Sequence, residues 1–359
     1  MKIAYITPDY LPHIGGIEKY VNSLAVFFQD AGNEVVVITA DRNIKNIEQN
    51  LEDGIKVLRF PVYSFSGILF LKKKKFLENL TYELKDVDIV HLNDCKFLYK
   101  YLARHKTYKL FLSSHGFIFH TTKHKVLKEK FFKSVVVKNQ RFYDKIICVS
   151  DQDACIAEKY GLTNVSIILP GVDIHKFECE KKDGLNAELQ FVYWGRLARN
   201  KGIAECLIKL AELKDKFLFY IAGICEDAIY MEELLKIIKN NDLGDKVHFL
   251  GYKNDTEIKD LIKTCDFILM PSLHEGFGMT LAESLLSHRN IIAHSNASFS
   301  KILEQAEAKD FLFDFTSASS KLQDKINDLV NSTVIPKNVE QFSQETMFKN
   351  ILQLYRNDF

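Results

Sequence analysis

A chain of 359 residues is too long for one ordinary domain and of the right length for two. Hydrophobic residues make up 47% of it and charged residues 26%, as in a soluble globular protein. The net charge of +1 and the lack of a nucleic-acid-binding motif argue against nucleic acid as a partner.

Targeting and redox signals point to the cytoplasm. No apolar run reaches the ~18 residues that a bilayer-spanning helix needs. The first residues, Met1 to Ile6, are interpreted as a β-strand rather than a signal peptide. The seven cysteines form no CxxC motif, and most lie inside apolar runs, which is typical of reduced thiols in the cytosol.

Strand-like and helical segments alternate along the whole chain, which predicts parallel sheets covered by helices. The predicted strands are 2–6, 34–39, 55–60, 89–92, 109–113, 145–149, 189–193, 216–221, 247–250, 266–270 and 290–293. Helices are predicted between them, for example at 18–31 and 204–213. The pattern occurs twice, with a break near Pro170. We therefore predict an α/β protein of two doubly wound, Rossmann-like domains, 1–170 and 171–340, facing each other across a cleft. The last helix, within 341–359, is expected to pack back on the first domain.

The segment from His274 to Glu283 carries the clearest chemical signal. It follows a predicted strand and opens a helix, so backbone N–H groups at the turn suit a phosphate. Gly276 and Gly278 allow a ligand to approach the backbone closely. Glu275 and Glu283 stand on either side and can accept hydrogen bonds from hydroxyl groups. A diphosphate flanked by two polyols is a nucleotide sugar.

Three further loops follow predicted strands and are candidates for the same site. Arg196 and Lys201 can both reach a diphosphate, where they would neutralise the leaving group in place of a metal ion; the alternative is that they are surface cations. Gly15 and Gly16 allow a close approach by a ligand, or form a plain tight turn. His115 can face the cleft, or be a structural histidine. Arg199 is given no role.

The Asp151-Gln152-Asp153 segment matches a metal-binding DxD pattern. Ser150 is a good helix N-cap, and both acids fall in the first helical turn, so we interpret the segment as a capped helix start. The sequence shows no other cluster of metal ligands and no Walker-type loop. We therefore expect neither a metal nor another cofactor.

Taken together, these motifs resemble the retaining, family-4 glycosyltransferases of GT-B fold. Glu275 and Glu283 match the E-x7-E signature of that family, Gly195 to Gly202 match its basic diphosphate motif, and Gly15-Gly16 match its N-terminal glycine loop. The resemblance covers nearly the whole chain.

The resemblance implies a role for each matched residue. Glu275 would bind hydroxyls of the donor sugar, and Glu283 those of the ribose. Arg196 and Lys201 would hold the diphosphate, and His115 would lie beside the donor sugar. The remaining donor contacts would come from the glycine loop, the nucleobase loop and the turn: Gly15, Gly16, Gly251, Tyr252, Lys253, Gly276, Phe277, Gly278, Met279 and Thr280. Such enzymes retain the anomeric configuration, need no metal, and attack on the same face through an oxocarbenium-like state, with the leaving phosphate accepting the acceptor's proton. Glu275, His115, Arg196 and Lys201 form the implied catalytic set.

The chain departs from the family after strand 290–293, where a glycine pair leading to Pro-Glu is usual and residues 294–298 read His-Ser-Asn-Ala-Ser. At the break between the two predicted domains, Pro170 stands where the family usually has asparagine. We expect both changes to leave the donor site itself unaltered.

The segment from Ser114 to Thr121 is similar to one in bacterial exopolysaccharide α-mannosyltransferases, which use GDP-mannose and a polyprenyl-diphosphate-linked saccharide. Basic residues near it, between Lys123 and Arg141, and in the cluster Lys72, Lys73, Lys74 and Lys75, suit an anionic membrane surface or are solvated faces. We expect a peripheral protein at the inner face of the cell membrane.

Other readings are a UDP-sugar transferase of the same fold, a sugar-nucleotide epimerase or phosphorylase, and a non-catalytic partner that binds sugar nucleotide or membrane. The Glu275 and Glu283 pair argues against the epimerase, and the chain length against the large phosphorylases. Intact Glu275, Arg196 and Lys201 argue against a silent partner.

Overall fold

The computed structural model describes residues 1–13, 15–65, 68–73, 76–95, 97, 102, 107–117, 119, 125–182 and 184–357. The chain divides into two compact units. The first comprises Met1–Pro170 and Met347–Phe359, and the second comprises Gly171–Thr346. Within the described residues, every helix is too short or too polar to cross a bilayer.

The first unit is built on one sheet with the strand order β3-β4-β2-β1-β6-β7-β8-β9, and β5 pairs with β4. Its strands are β1 (Lys2–Thr7), β2 (Glu34–Asp41), β3 (Glu48–Glu52), β4 (Ile55–Phe65), β5 (Ile68–Leu71), β6 (Ile89–Asn93), β7 (Lys109–Ser113), β8 (Lys145–Cys148) and β9 (Val165–Ile167). Neighbouring strands run parallel except that β3 and β5 run antiparallel to β4. The helices are α1 (Gly16–Asp30), α2 (Phe76–Glu83), α3 (Lys125–Val135) and α4 (Asp151–Lys159).

The second unit contains a fully parallel sheet with the order β12-β11-β10-β13-β14-β15. Its strands are β10 (Leu189–Trp194), β11 (Phe217–Ala222), β12 (Val247–Gly251), β13 (Phe267–Met270), β14 (Asn290–His294) and β15 (Leu312–Phe313). The helices are α5 (Ile203–Ala211), α6 (Ala228–Asn240), α7 (Asp255–Thr264), α8 (Met279–Ser284), α9 (Ala297–Gln305) and α10 (Leu322–Asn331).

Two doubly wound parallel sheets were predicted, and the structure confirms them. The predicted strands form because continuous apolar runs are buried on both faces of a parallel sheet. β3, β5, β9 and β15 were not predicted. β3 is exposed along most of its length and has no apolar pattern, and β15 has only two residues. Edge strands of this kind are set by their neighbours rather than by their own sequence.

The last helix, α11 (Gln344–Asn357), contributes to the core of the first unit. The side chains of Met347, Phe348, Ile351 and Tyr355 are buried there with residues of α1 and the sheet. The Phe348 ring stacks on Phe27, with 4.1 Å between the centroids. A 3₁₀ turn, Val339–Phe342, precedes the helix, so the helix begins at Gln344 rather than at 341.

The hydroxyl of Tyr355 forms a buried hydrogen bond with His91. The hydroxyl oxygen lies 2.6 Å from Nδ1 of His91 on β6, and Nε2 of His91 lies 2.8 Å from Oγ of Ser113. Burial, with a smaller contribution from His115, lowers the pKa of His91 to about 3. The imidazole is therefore neutral in the folded protein at neutral pH.

Because His91 is buried and neutral, we expect the folded protein to lose stability in acid. The unfolded chain binds a proton at His91 near pH 6.5 and the folded chain does not until about pH 3, so stability falls as the pH drops through that window. Between pH 6.5 and 5 the loss is about 2 kcal/mol. Denaturant midpoints of the wild type and His91→Asn at both pH values measure it. An equal loss in both proteins would show that other groups cause the acid sensitivity.

Candidate active site

The carboxyl ends of parallel strands meet at one edge of a sheet, and the candidate residues of the second unit follow three such ends. Arg196 follows β10, Gly251 and Tyr252 lie at the end of β12, and Glu275 follows β13. The topology thus brings these loops to one edge of the second sheet.

The turn between β13 and α8 depends on Gly278. This residue has φ +107°, a conformation that favours glycine. A Cβ atom there would also lie 2.7 Å from Cε1 of Phe299, so a larger residue would displace the turn. The helix that follows it, α8, is short and spans only Met279–Ser284.

Lys201 and Glu275 form the central contact of the site. Nζ of Lys201 lies 2.6 Å from Oε1 of Glu275, and the two side chains are 20% and 13% exposed. The backbone fixes their loops to each other, because the carbonyl of Asn200 accepts hydrogen bonds from the N–H groups of Leu273 and His274 at 2.9 and 3.3 Å. A partly buried cation and carboxylate are therefore held beside the turn at Gly276 and Gly278.

The two arginines of the loop after β10 differ in their surroundings. Arg196 is exposed, and within the described residues its guanidinium has no carboxylate partner. Arg199 forms a two-pronged ion pair with Glu233 and lies over the ring of Tyr230, 5.0 Å from its centroid. Arg196 can therefore bind a ligand, whereas the guanidinium of Arg199 is already paired with a residue of α6.

Lys176 was not predicted from the sequence, although it contacts a predicted residue. Its Nζ lies 3.2 Å from Oε1 of Glu283 and 3.0 Å from Oδ2 of Asp255, the first residue of α7. Burial opposes the charge, but Glu283 and Asp255 hold the pKa of Lys176 above its ordinary value. Glu283 is 107 positions away, so only the fold reveals the pair. Lys176 joins the helix after the Tyr252 loop to Glu283.

The loop at Tyr252 has its own support. Gly251 has φ +67° and its carbonyl accepts a hydrogen bond from Gly223, while Tyr252 is 67% exposed. Nζ of Lys253 lies 2.7 Å from Oε1 of Glu257, which forms the capping box of α7 with Asn254. The exposed Tyr252 ring therefore projects from a fixed loop.

The unusual segment after β14 makes hydrogen bonds to the backbone of the turn between β13 and α8. Ser298 Oγ donates to the carbonyls of Glu275 and Gly276 at 2.8 and 3.2 Å. The Asn296 side-chain amide donates to the carbonyl of Ser272 at 2.7 Å and its oxygen caps α9. Polar side chains in this segment thus hold the backbone around Glu275.

Gly15, Gly16 and His115 belong to the first unit. Gly15 caps α1 at the carboxyl edge of the first sheet, and a Cβ atom at Gly16 would meet no described atom within 4 Å. His115 follows β7, its ring lies edge-on to Tyr20 with 4.8 Å between centroids, and its Nε2 is 3.4 Å from Oδ1 of Asn93. Ile118 and Thr121, in the segment similar to mannosyltransferases, lie outside the described residues.

The DxD segment begins α4, and Ser150 caps it as predicted, accepting a hydrogen bond from the N–H of Asp153. Across the described ranges, no group of three or more His, Cys, Asp or Glu side chains has the arrangement of a metal site.

The basic surfaces differ from each other. On α3, Val126 and Leu127 are exposed together with Lys130 and Lys133. Lys72 instead donates to the carbonyls of Arg42 and Ile44, both at 2.8 Å. Lys74, Lys75 and residues 120–124 lie outside the described residues.

Two family models match consecutive parts of the chain. Residues 14–176 match "Glycosyltransferase Family 4", and residues 176–346 match "Glycosyl transferases group 1". The chain is 27% identical to the GDP-mannose:cellobiosyl-diphosphopolyprenol α-mannosyltransferase of Xanthomonas oryzae pv. oryzae, over 79% of this chain and 76% of that protein. It is 24% identical to the UDP-Gal:α-D-GlcNAc-diphosphoundecaprenol α-1,3-galactosyltransferase of Escherichia coli, over 99% and 96%. The structure of HepE from Anabaena in complex with UDP superposes with a TM-score of 0.78 at 18% identity, covering 99% of this chain and all of that one.

Proposed function

Because the chain belongs to the family-4 glycosyltransferases of GT-B fold, we propose that it transfers a hexose from a nucleotide-diphosphate sugar to a lipid-linked saccharide or glycan in surface-polysaccharide synthesis. Mannose from GDP-mannose, in an α-linkage, is the first candidate. The reaction retains the anomeric configuration and needs no metal ion.

The observation that carries this proposal is the Lys201 and Glu275 ion pair beside the turn at Gly276. An incoming diphosphate offers Lys201 a stronger anionic partner, and Arg196 in the same loop adds a second cation. Glu275 is then left to accept hydrogen bonds from sugar hydroxyls. Charge on the leaving phosphate is neutralised by two side chains, which is the task that a metal performs in other transferases.

The remaining assignments are proposed from the resemblance to the family. Glu283, held by Lys176, binds the ribose hydroxyls, and the Gly251–Tyr252 loop flanks the base. Backbone N–H groups from Gly276 to Thr280 contact sugar and phosphate. In the first unit, Gly15 and Gly16 line the donor path and His115 lies by the donor sugar.

The GDP-mannose assignment draws support from the Xanthomonas relative, and a UDP-hexose donor from the Escherichia coli relative. A thermal-shift screen of GDP- and UDP-sugars separates them, because a ligand that binds only the folded state at 100 times its Kd stabilises by about 2.7 kcal/mol. Transfer of the stabilising sugar to a polyprenyl-diphosphate saccharide, with the product anomer read by NMR and EDTA present, tests the rest. Binding without transfer or hydrolysis would instead identify a non-catalytic partner.

A prediction concerns Lys176. In Lys176→Met, Glu283 loses its fixed partner. We therefore expect the preference for a ribonucleoside over a 2′,3′-dideoxyribonucleoside diphosphate to shrink about tenfold to a hundredfold, because a charge-assisted hydrogen bond contributes about 1.5–3 kcal/mol. Titration calorimetry with both nucleotides measures it, and Lys176→Arg should restore the preference. Equal weakening of both nucleotides would mean that Lys176 only supports the fold.

We further propose that the protein binds the inner membrane surface through the exposed face of α3, where apolar and basic side chains adjoin. The variant Leu127→Ser/Lys130→Ser/Lys133→Ser should lose sedimentation with anionic vesicles. The matched variant Leu235→Ser/Lys236→Ser/Lys239→Ser, on the exposed side of α6, should keep it. Equal sedimentation of both variants would refute this surface.

A further inference from the structure

The carboxylate of Asp153 lies inside the first unit, although a DxD acid in the first turn of a helix is ordinarily solvated. Asp153 is 1% exposed. Its Oδ2 accepts a hydrogen bond from Oγ of Ser114 at 2.5 Å and another from the N–H of Gly116 at 3.0 Å. The two donors stand on either side of His115. One buried side-chain oxygen therefore bonds the residues on both sides of His115.

The loop needs such support, because its backbone is unfavourable. His115, Gly116 and Phe117 have φ values of +40°, +76° and +51°. A non-glycine residue in this region is strained and persists only where its surroundings impose it. The N–H of Phe117 closes the turn on the carbonyl of Ser114 at 2.6 Å, and Ser114 Oγ accepts from the N–H of Val149 at 3.2 Å.

This turn decides where the His115 ring lies. The ring meets the Tyr20 ring edge-on, and Nε2 faces the Asn93 side chain. Without the two hydrogen bonds from Ser114 and Gly116, the backbone would relax toward ordinary φ values and move the ring. Buried carboxylates that accept more than one hydrogen bond are rigid supports, because leaving their partners unpaired is costly.

We propose that Asp153 is a positioning residue for sugar transfer, which acts by holding His115 in its left-handed turn. The inference rests on the proposed function, since that function places His115 beside the donor sugar. Asp153 itself need touch neither substrate. Its neighbour Asp151 begins the same helix but makes neither of these two contacts to the His115 loop.

The test compares Asp153→Leu with Asp151→Leu. Both donors bond Oδ2 of Asp153, and leucine keeps the approximate shape of the side chain but offers them no acceptor. We expect kcat to fall about tenfold to a hundredfold in Asp153→Leu, as a misplaced group of this kind causes, with the Kd of the nucleoside diphosphate unchanged. Asp151→Leu should keep the wild-type kcat. A wild-type kcat in folded Asp153→Leu would overturn the proposal.

A double-mutant cycle with His115→Ala separates positioning from general support. If Asp153 acts through His115, Asp153→Leu/His115→Ala is no slower than His115→Ala alone; additive losses would refute this. Ser114→Ala, which removes one of the two hydrogen bonds, replaces Asp153→Leu in the cycle if the latter does not fold. A wild-type kcat in His115→Ala would instead defeat the proposed role of His115, whatever Asp153 does.

Discussion

Replacing Lys201 by methionine is expected to slow sugar transfer by about 10²- to 10³-fold, the usual loss when one group that stabilises transition-state charge is removed. Methionine keeps much of the length and apolar stem of the side chain but removes its charge. The leaving diphosphate then loses its partly buried cation, and Glu275 loses the partner 2.6 Å away. Initial rates with saturating donor and acceptor measure the effect.

The same loop provides the matched control. Arg199→Met removes a cation two positions from Lys201, but one that is paired with Glu233, so its kcat should stay within about twofold of the wild type. Arg196→Met should resemble Lys201→Met. If Arg199→Met were as slow as Lys201→Met, the loss would reflect damage to the loop rather than a missing phosphate contact. Thermal midpoints of the three variants identify such damage.

Removing the C-terminal segment from Met347 onward should unfold the first unit. Met347, Phe348, Ile351 and Tyr355 are all buried in its core. Truncating one such side chain costs about 2–5 kcal/mol, so losing four reaches the ~5–15 kcal/mol that stabilises a whole domain. Hydrogen exchange should show loss of protection in β1, β6 and β7.

Single substitutions in α11 measure how much individual side chains of the helix stabilise the first unit. Ile351→Ala should lower the free energy of unfolding by about 2–5 kcal/mol, whereas Gln353→Ala, on the exposed face of the same helix, should change it by less than about 0.5 kcal/mol. Equal effects of the two substitutions, or a truncated chain with native protection in β6, would show that α11 is not part of this core.

The alternation of strands and helices could be predicted from the sequence, because a buried parallel strand is a continuous apolar run such as β2 or β7. The positions of the loops at Arg196, Gly251 and Glu275 could be predicted in the same way, since each loop follows such a run. The family was recognisable because Glu275, Glu283, Arg196 and Lys201 are spaced along the chain as that family spaces them. The roles of these residues remain predictions.

Contacts between distant segments were not predictable. The residues next to Lys176 in the sequence do not mark it as a site residue. Its place in the site is evident only from its ion pairs with Glu283 and Asp255, which lie on two other elements. Ser298 lies in a segment that departs from the family pattern, and its hydrogen bond to the backbone of Glu275 was not predicted. Asp153 was identified only as part of a capped helix start, and its carboxylate turned out to face Ser114 and Gly116. Side-chain direction and long-range pairing decide all three cases.

The placement of α11 has a consequence for biosynthesis. The ribosome makes residues 1–170 before the second unit, yet the core that they form includes Tyr355, which is made after the second unit. The second unit, Gly171–Thr346, is contiguous, so all of its described strands are made before Met347. The unit that is begun first is therefore completed after the other. Until residues 347–355 are made, the surface on α1 and the first sheet that receives Phe348 and Ile351 stays uncovered, and a nascent chain that stalls before 347 leaves it exposed to chaperones and proteases.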